Sequence, residues 1–125
     1  MSVLVLVAPG SEEIETVAIV DTLVRGSIDV VLASCSPTGA RQIRASRGVQ
    51  LVADCHLDEL TRRDFEAMVV PGGLPGSEVI RDTPLAIDLL REQATLGRWR
   101  AAIHWFRMSS CVSSASSCAA ATASS

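Results

Sequence analysis

The sequence predicts an α/β domain built on a mainly parallel sheet. Apolar runs typical of buried strands occur at Ser2–Ala8 and Ile28–Ala33, and the residues between them have helical spacing. A strand, a helix and a second strand in this order form a βαβ unit, in which the strands are parallel and the crossover is right-handed. A later apolar run, Ala67–Val70, leads directly into Pro71-Gly72-Gly73 and predicts a further buried strand.

The first half of the chain contains clear start and stop signals. Ser11 is expected to cap the first helix, because its hydroxyl can accept a hydrogen bond from the first turn, and Gly26 suits the helix end. Apolar residues recur at helical spacing between them: Ile14, Val17, Ala18 and Val24. Arg41–Ala45 and Val49–Ala53 then predict a hairpin that closes around Ser46-Arg47-Gly48.

The second half continues the alternation of helices and strands. Leu57–Arg63 predicts a short helix, and Ser77–Arg81 predicts one helical turn. A longer helix is expected from Pro84, which is tolerated at a first helical position, to about Leu96, where Gly97 ends it. Arg100–Ile103 predicts the last strand.

The sequence changes character after Ile103. From residue 109 to residue 125 every residue except Val112 is Ser, Ala, Cys or Thr. Burial of apolar surface contributes roughly 25 cal/mol per Å², and such small side chains offer little of it. We therefore predict a C-terminally truncated, partial domain at residues 1–103, followed at residues 104–125 by an unrelated Ser/Ala/Cys-rich tail that is disordered.

Composition excludes several classes of function. The 125 residues fit one domain, and the net charge is −3 with all eleven cations being scattered arginines, so no nucleic-acid surface is expected. The N-terminal apolar run is too short to span a membrane, which favours a cytoplasmic protein without a membrane partner. The four cysteines lack metal-ligand spacing, and no metal is expected.

The candidate site lies where the predicted strands end, because open parallel sheets bind ligands beyond the carboxyl ends of their strands. Glu15 lies in the first turns of the first helix, where partial burial would suit its carboxylate to proton transfer. The alternative is that Glu12, Glu13 and Glu15 only complement the helix dipole. Gly72 and Gly73 could bring their N–H groups close to a developing oxyanion, or could simply form a tight turn.

Four segments together resemble the DJ-1/PfpI family, in particular its bacterial DJ-1-like branch. They are A-P-G-S-E-E-I-E-T-V at Ala8–Val17, A-S-R-G-V at Ala45–Val49, V-V-P-G-G at Val69–Gly73 and R-A-A-I at Arg100–Ile103. The resemblance implies a flavodoxin-like three-layer sandwich, related to class I glutamine amidotransferases and usually a homodimer. It also implies cofactor-free, cysteine-dependent glyoxalase or deglycase chemistry on small dicarbonyls or glycated substrates, with roles in stress protection.

The resemblance assigns roles to four positions. Glu15 matches the acid that hydrogen-bonds the nucleophile, and Gly72 and Gly73 match backbone amides near the reacting carbonyl. His104 stands directly after A-A-I, where the family has its cysteine nucleophile. Because that chemistry needs a thiolate held on a tight strand-to-helix turn, we expect this copy to be inactive.

Two other functions remain open at this point. The first is a non-catalytic module, either a chaperone-like binder or a dimerisation partner, since His104 replaces the thiol while the scaffold motifs persist. The second is a receiver-type signalling domain, in which Glu12 and Glu13 would form an acidic metal pocket. The absence of lysine from the chain disfavours the receiver.

Overall fold

The computed structural model describes residues 1–62, 64–103 and 119–120. The strands are β1 (Ser2–Val7), β2 (Asp29–Ser34), β3 (Gln42–Arg44), β4 (Gln50–Val52), β5 (Cys55–His56), β6 (Ala67–Val70), β7 (Trp99–Ala102) and β8 (Ala119–Ala120). The helices are α1 (Glu13–Arg25), α2 (Leu74–Arg81) and α3 (Pro84–Thr95), with a 3₁₀ turn at Leu57–Glu59.

Six strands form the main sheet in the order β5-β2-β1-β6-β7-β8, and every pair in it is parallel. The hairpin β3–β4 is antiparallel and forms a separate two-stranded sheet. The crossover through α1 runs towards one edge and the crossover through α2 and α3 towards the other, so right-handed connections place them on opposite faces. The predicted α/β class and the flavodoxin-like sandwich are confirmed.

The central strand β1 is buried along its whole length because both of its faces are covered. Leu4 and Leu6 point to the side of α2 and α3, where they join the larger apolar core with Met68 and Val70. Val7 points to the opposite side and packs in a smaller apolar cluster with residues of the hairpin. The alternation follows from the two-residue period of a strand.

Three predicted boundaries need correction. The prediction that Ser11 caps α1 is wrong: its Oγ accepts a hydrogen bond from the Ala8 N–H at 3.0 Å, and the helix begins at Glu13. The single helical turn predicted at Ser77–Arg81 is instead the second part of an eight-residue helix, α2, which begins directly after Gly73. The helix predicted at Leu57–Arg63 is a 3₁₀ turn that ends at Glu59, while Arg63 lies outside the described residues.

The apolar residues of α1 pack incompletely: Ile19, Val20 and Leu23 are only half-buried, and three other large ones are exposed. Ile14, Val17 and Val24 are 75%, 53% and 57% exposed, although their spacing is helical. The buried side chains of this helix are polar, Glu13 and Thr16. The three exposed residues form an apolar stripe beside the hairpin, where Val17 and Val24 border an open groove with Leu32 and Leu51.

The tail predicted at 104–125 lies outside the described residues except for Ala119–Ala120, which pairs with Ala101 and Ala102 of β7. None of the helices in the described part is long and apolar enough to cross a bilayer.

Candidate functional site

Two loops interlock beyond the carboxyl ends of β1 and β6. Gly73 has φ of 101°, and a Cβ at this position would lie 2.4 Å from the backbone oxygen of Gly10. A Cβ on Gly76 would lie 2.4 Å from the backbone nitrogen of Ser11. Because both approaches are backbone against backbone, only glycine allows the loops to pack this closely.

Glu15 contacts the first of the two glycines predicted from the sequence. Its Oε2 accepts a hydrogen bond from the Gly72 N–H at 2.7 Å, and the Gly72 carbonyl accepts one from the Glu12 N–H at 2.8 Å. Both polar groups of Gly72 are therefore bound to the start of α1. The Glu15 carboxylate lies at the sheet edge, as predicted, but it occupies an N–H that was expected to face a substrate.

Gly73 is arranged differently from Gly72. It is the N-cap of α2, and its carbonyl accepts a hydrogen bond from the Ser77 N–H at 2.8 Å. Within the described ranges, its own N–H donates no backbone hydrogen bond. A backbone donor at a helix N-terminus favours negative charge, so Gly73 is better placed than Gly72 to hold an oxyanion.

The turn of the β3–β4 hairpin also lies against the start of α1, a contact that the sequence did not predict. The Glu13 carboxylate accepts hydrogen bonds from the Ser46 hydroxyl at 2.8 Å and from the Arg47 N–H at 2.9 Å. Burial acts to raise the pKa of Glu13, but hydrogen bonds from its own N–H, Ser46 and Arg47, together with the Arg47 charge, hold it below its usual value. The carboxylate is therefore ionised at neutral pH. The Arg47 side chain is exposed.

The last predicted site residue follows β7. The Ile103 N–H donates to the Val70 carbonyl at 3.2 Å, so β7 ends beside β6 at the same edge of the sheet. His104, the next residue, lies outside the described residues.

Neither cysteine in the described part is suited to nucleophilic attack. Burial, with a smaller effect of the Asp58 charge, raises the pKa of Cys35 to about 12. Burial and the nearby carboxylates of Glu59 and Asp54 also raise the pKa of Cys55. Both thiols therefore stay protonated near neutral pH. Only the thiolate is a good nucleophile, so neither cysteine is reactive.

A separate cavity of about 600 Å³ opens beyond the carboxyl ends of β2 and β5. It is lined by Cys35, Ser36, Pro37, Thr38, Gly39, His56, Asp58, Val79, Asp82, Thr83 and Pro84. The His56 ring is held by protein groups on both sides: Nε2 lies 2.8 Å from the Ser36 carbonyl oxygen, and Nδ1 accepts from the Asp58 N–H at 3.2 Å. The cavity does not include the predicted site residues. The described residues contain no group of three side chains suited to holding a metal ion.

Comparison with known proteins gives consistent matches. Residues 1–105 match the model of the DJ-1/PfpI family. Protein dj-1beta of Drosophila melanogaster is 39% identical over 102 residues, which cover 82% of this chain and 54% of that protein. The glutathione-independent glyoxalase DJR-1.2 of Caenorhabditis elegans is 32% identical over 97 residues, covering 77% of this chain and 50% of the relative.

A solved structure of oxidized DJ-1 from Toxoplasma gondii superimposes with a TM-score of 0.80 at 37% identity. The superposition covers 89% of this chain and 58% of that one. The matched segment thus spans about half the length of the Drosophila and Caenorhabditis relatives.

Proposed function

Because the chain belongs to the DJ-1/PfpI family, we propose that Glu15 and Gly73 form a pocket for small dicarbonyls or glycated substrates, and that this copy does not convert them. The observation that carries the proposal is the hydrogen bond of 2.7 Å between the Glu15 carboxylate and the Gly72 N–H. This bond fixes a carboxylate at the sheet edge where β1, β6 and β7 end. The relative named as a glyoxalase supports the substrate class.

The chemistry assigned to each group follows from its surroundings. The Glu15 carboxylate can accept or return a proton at a reacting atom that approaches the edge of the sheet. The Gly73 N–H, at the N-terminus of α2, can donate to the oxygen of a bound carbonyl. Neither role needs a cofactor, and we propose a cofactor-free site.

The missing component is the attacking atom. In cysteine-dependent glyoxalase chemistry the thiolate sulfur adds to the aldehyde carbon, the carbonyl π electrons move to oxygen, and the resulting alkoxide takes up a proton. At position 104, His104 replaces the sulfur with an imidazole. Cys35 and Cys55 are poorly placed to substitute, because Cys35 lines the separate cavity and Cys55 lies on β5, and the pKa of each thiol is raised. Cys111 and Cys118 lie outside the described residues.

A test of this proposal compares the purified chain with its His104→Cys variant. We expect the unaltered chain to consume methylglyoxal no faster than a Glu15→Ala control does. The His104→Cys variant should gain a covalent hemithioacetal that mass spectrometry maps to residue 104, and His104→Ser should not. Turnover by the unaltered chain that disappears in Glu15→Ala would contradict the proposed inactivity, and a His104→Cys thiol without any adduct would contradict the proposed pocket.

A second function, self-association, is favoured by a separate observation. Five aliphatic side chains of α1 and the hairpin are exposed: Ile14, Val17, Val24, Val49 and Val52. A twofold arrangement would bury this apolar face of each copy against the same face of the other. We propose a homodimer on this basis, and a non-catalytic dimerisation or chaperone-like role as the alternative to carbonyl binding. A cytoplasmic location is proposed separately, from the shortness of the N-terminal apolar run. The receiver alternative is wrong, because the family match excludes it.

A further inference from the structure

Glu13 and Glu15 hold the first turn of α1 from two different sides. Residues two apart on a helix do not face the same neighbour. Glu15 reaches the Gly72 N–H in the β6–α2 loop, whereas Glu13 reaches Ser46 and Arg47 in the hairpin turn. The E-x-E spacing therefore joins two loops through one helical turn.

Backbone and side-chain hydrogen bonds join the hairpin turn to the start of α1. Among the described residues, β3 and β4 pair only with each other and not with a strand of the main sheet. At the turn, the Ser46 N–H donates to the Ser11 carbonyl at 2.9 Å, and the Gly10 N–H donates to the Arg44 carbonyl at 2.9 Å. Glu13 adds two further bonds, from the Ser46 hydroxyl and the Arg47 N–H, and the residue is only 7% exposed.

We propose that Glu13 is a positioning residue that acts through Glu15. By binding the hairpin turn, the Glu13 carboxylate fixes the rotation of the first turn of α1 and keeps Glu15 on Gly72. This inference rests on the proposed function for the role of Glu15. Ser46, whose hydroxyl donates to Glu13, then contributes to the same positioning of Glu15.

Amide hydrogen exchange, measured by NMR on the full chain, tests this inference. The amides to follow are Gly72 at the site and Arg47 in the turn, with Leu4–Leu6 of β1 as the reference for global unfolding. In Glu13→Ala we expect exchange at Gly72 and Arg47 to rise by about tenfold, the scale set by loss of a charge-assisted hydrogen bond, while the reference amides stay unchanged. Glu13→Gln retains one acceptor oxygen and should restore part of the protection.

Asp21→Asn is the matched control, because it removes a charge from an exposed position of α1, where Asp21 pairs with Arg25, without touching either loop, and it should leave both amides unchanged. Ser46→Ala should raise Gly72 exchange in the same direction as Glu13→Ala, and it decides the question if Glu13→Ala fails to fold. Faster exchange at Arg47 with unchanged exchange at Gly72 would overturn the inference, since Glu13 would then only pin the turn. Because no substrate is present in this experiment, its outcome does not depend on whether the chain binds or converts carbonyl compounds.

Discussion

The two sides of the sheet differ in how they treat apolar residues. On the side of α2 and α3, Leu4, Leu6, Met68 and Val70 are buried to within 1% of complete. On the side of α1, an open apolar groove runs between the helix and β6, lined by Ala18, Ile19, Thr22, Leu23 and Val69. Beyond it, Ile14 of α1 is 75% exposed. The side of α2 and α3 is thus closed, whereas the side of α1 buries Val7 against the hairpin but leaves apolar side chains of the helix exposed.

The largest effect is expected on the closed side. Leu4→Ala removes a side chain with no exposed surface from the larger core and should lower the free energy of unfolding by about 2–5 kcal/mol. Ile14→Ala, the matched aliphatic truncation on the open side, should change it by less than about 0.5 kcal/mol. Urea denaturation of both variants, under conditions where the chain is monomeric, measures the difference. Equal losses would show that the two sides do not differ in this way.

The loops of the candidate site give an intermediate effect. Gly73→Ala places a Cβ 2.4 Å from the Gly10 backbone oxygen at φ of 101°, and this crowding should lower the unfolding free energy by about 1–3 kcal/mol beyond the strain of positive φ. Gly39→Ala is the control, because Gly39 also has positive φ, at 78°, but a Cβ there meets nothing within 4 Å. Thermal unfolding of both variants separates strain from crowding. A Gly39→Ala variant as unstable as Gly73→Ala would mean that positive φ alone accounts for the loss.

The sequence predicted those features that depend on local pattern. The strand Ala67–Val70 was predicted with the observed bounds, and the hairpin was predicted to within a residue at each end, because apolar alternation and a glycine turn specify them locally. Glu15, Gly72 and Gly73 were placed at one sheet edge by the rule that ligand sites follow the carboxyl ends of parallel strands. The catalytic roles of these residues stay predictions.

The features that were missed depend on contacts between distant segments. Ser11 has the residue type of an N-cap, yet its hydroxyl accepts a hydrogen bond from the Ala8 N–H. The loop that contains Ser11 packs closely against the backbone of Gly76, a contact that no local pattern predicts. The two-residue strand β5 has too little sequence to show a period. From the sequence, Glu13 was interpreted as a charge that complements the helix dipole. No local pattern indicates that its carboxylate accepts a hydrogen bond from Ser46, which lies 33 residues later.

The smallest effect on stability is expected for Val17→Asp, the variant that tests self-association. Val17→Asp places a charge within the exposed stripe of α1 and should change the unfolding free energy of the monomer by no more than about 0.5 kcal/mol. It should nevertheless shift the chain from dimer to monomer in sedimentation velocity, because burying an unpaired carboxylate at the centre of a twofold interface is unfavourable. Leu96→Asp is the matched control: Leu96 and Val17 are both 53% exposed, but Leu96 lies at the end of α3, away from the stripe. A dimer that survives Val17→Asp and dissociates with Leu96→Asp would move the interface to the opposite side of the sheet, and an unaltered chain that is monomeric at all concentrations would contradict the proposed homodimer.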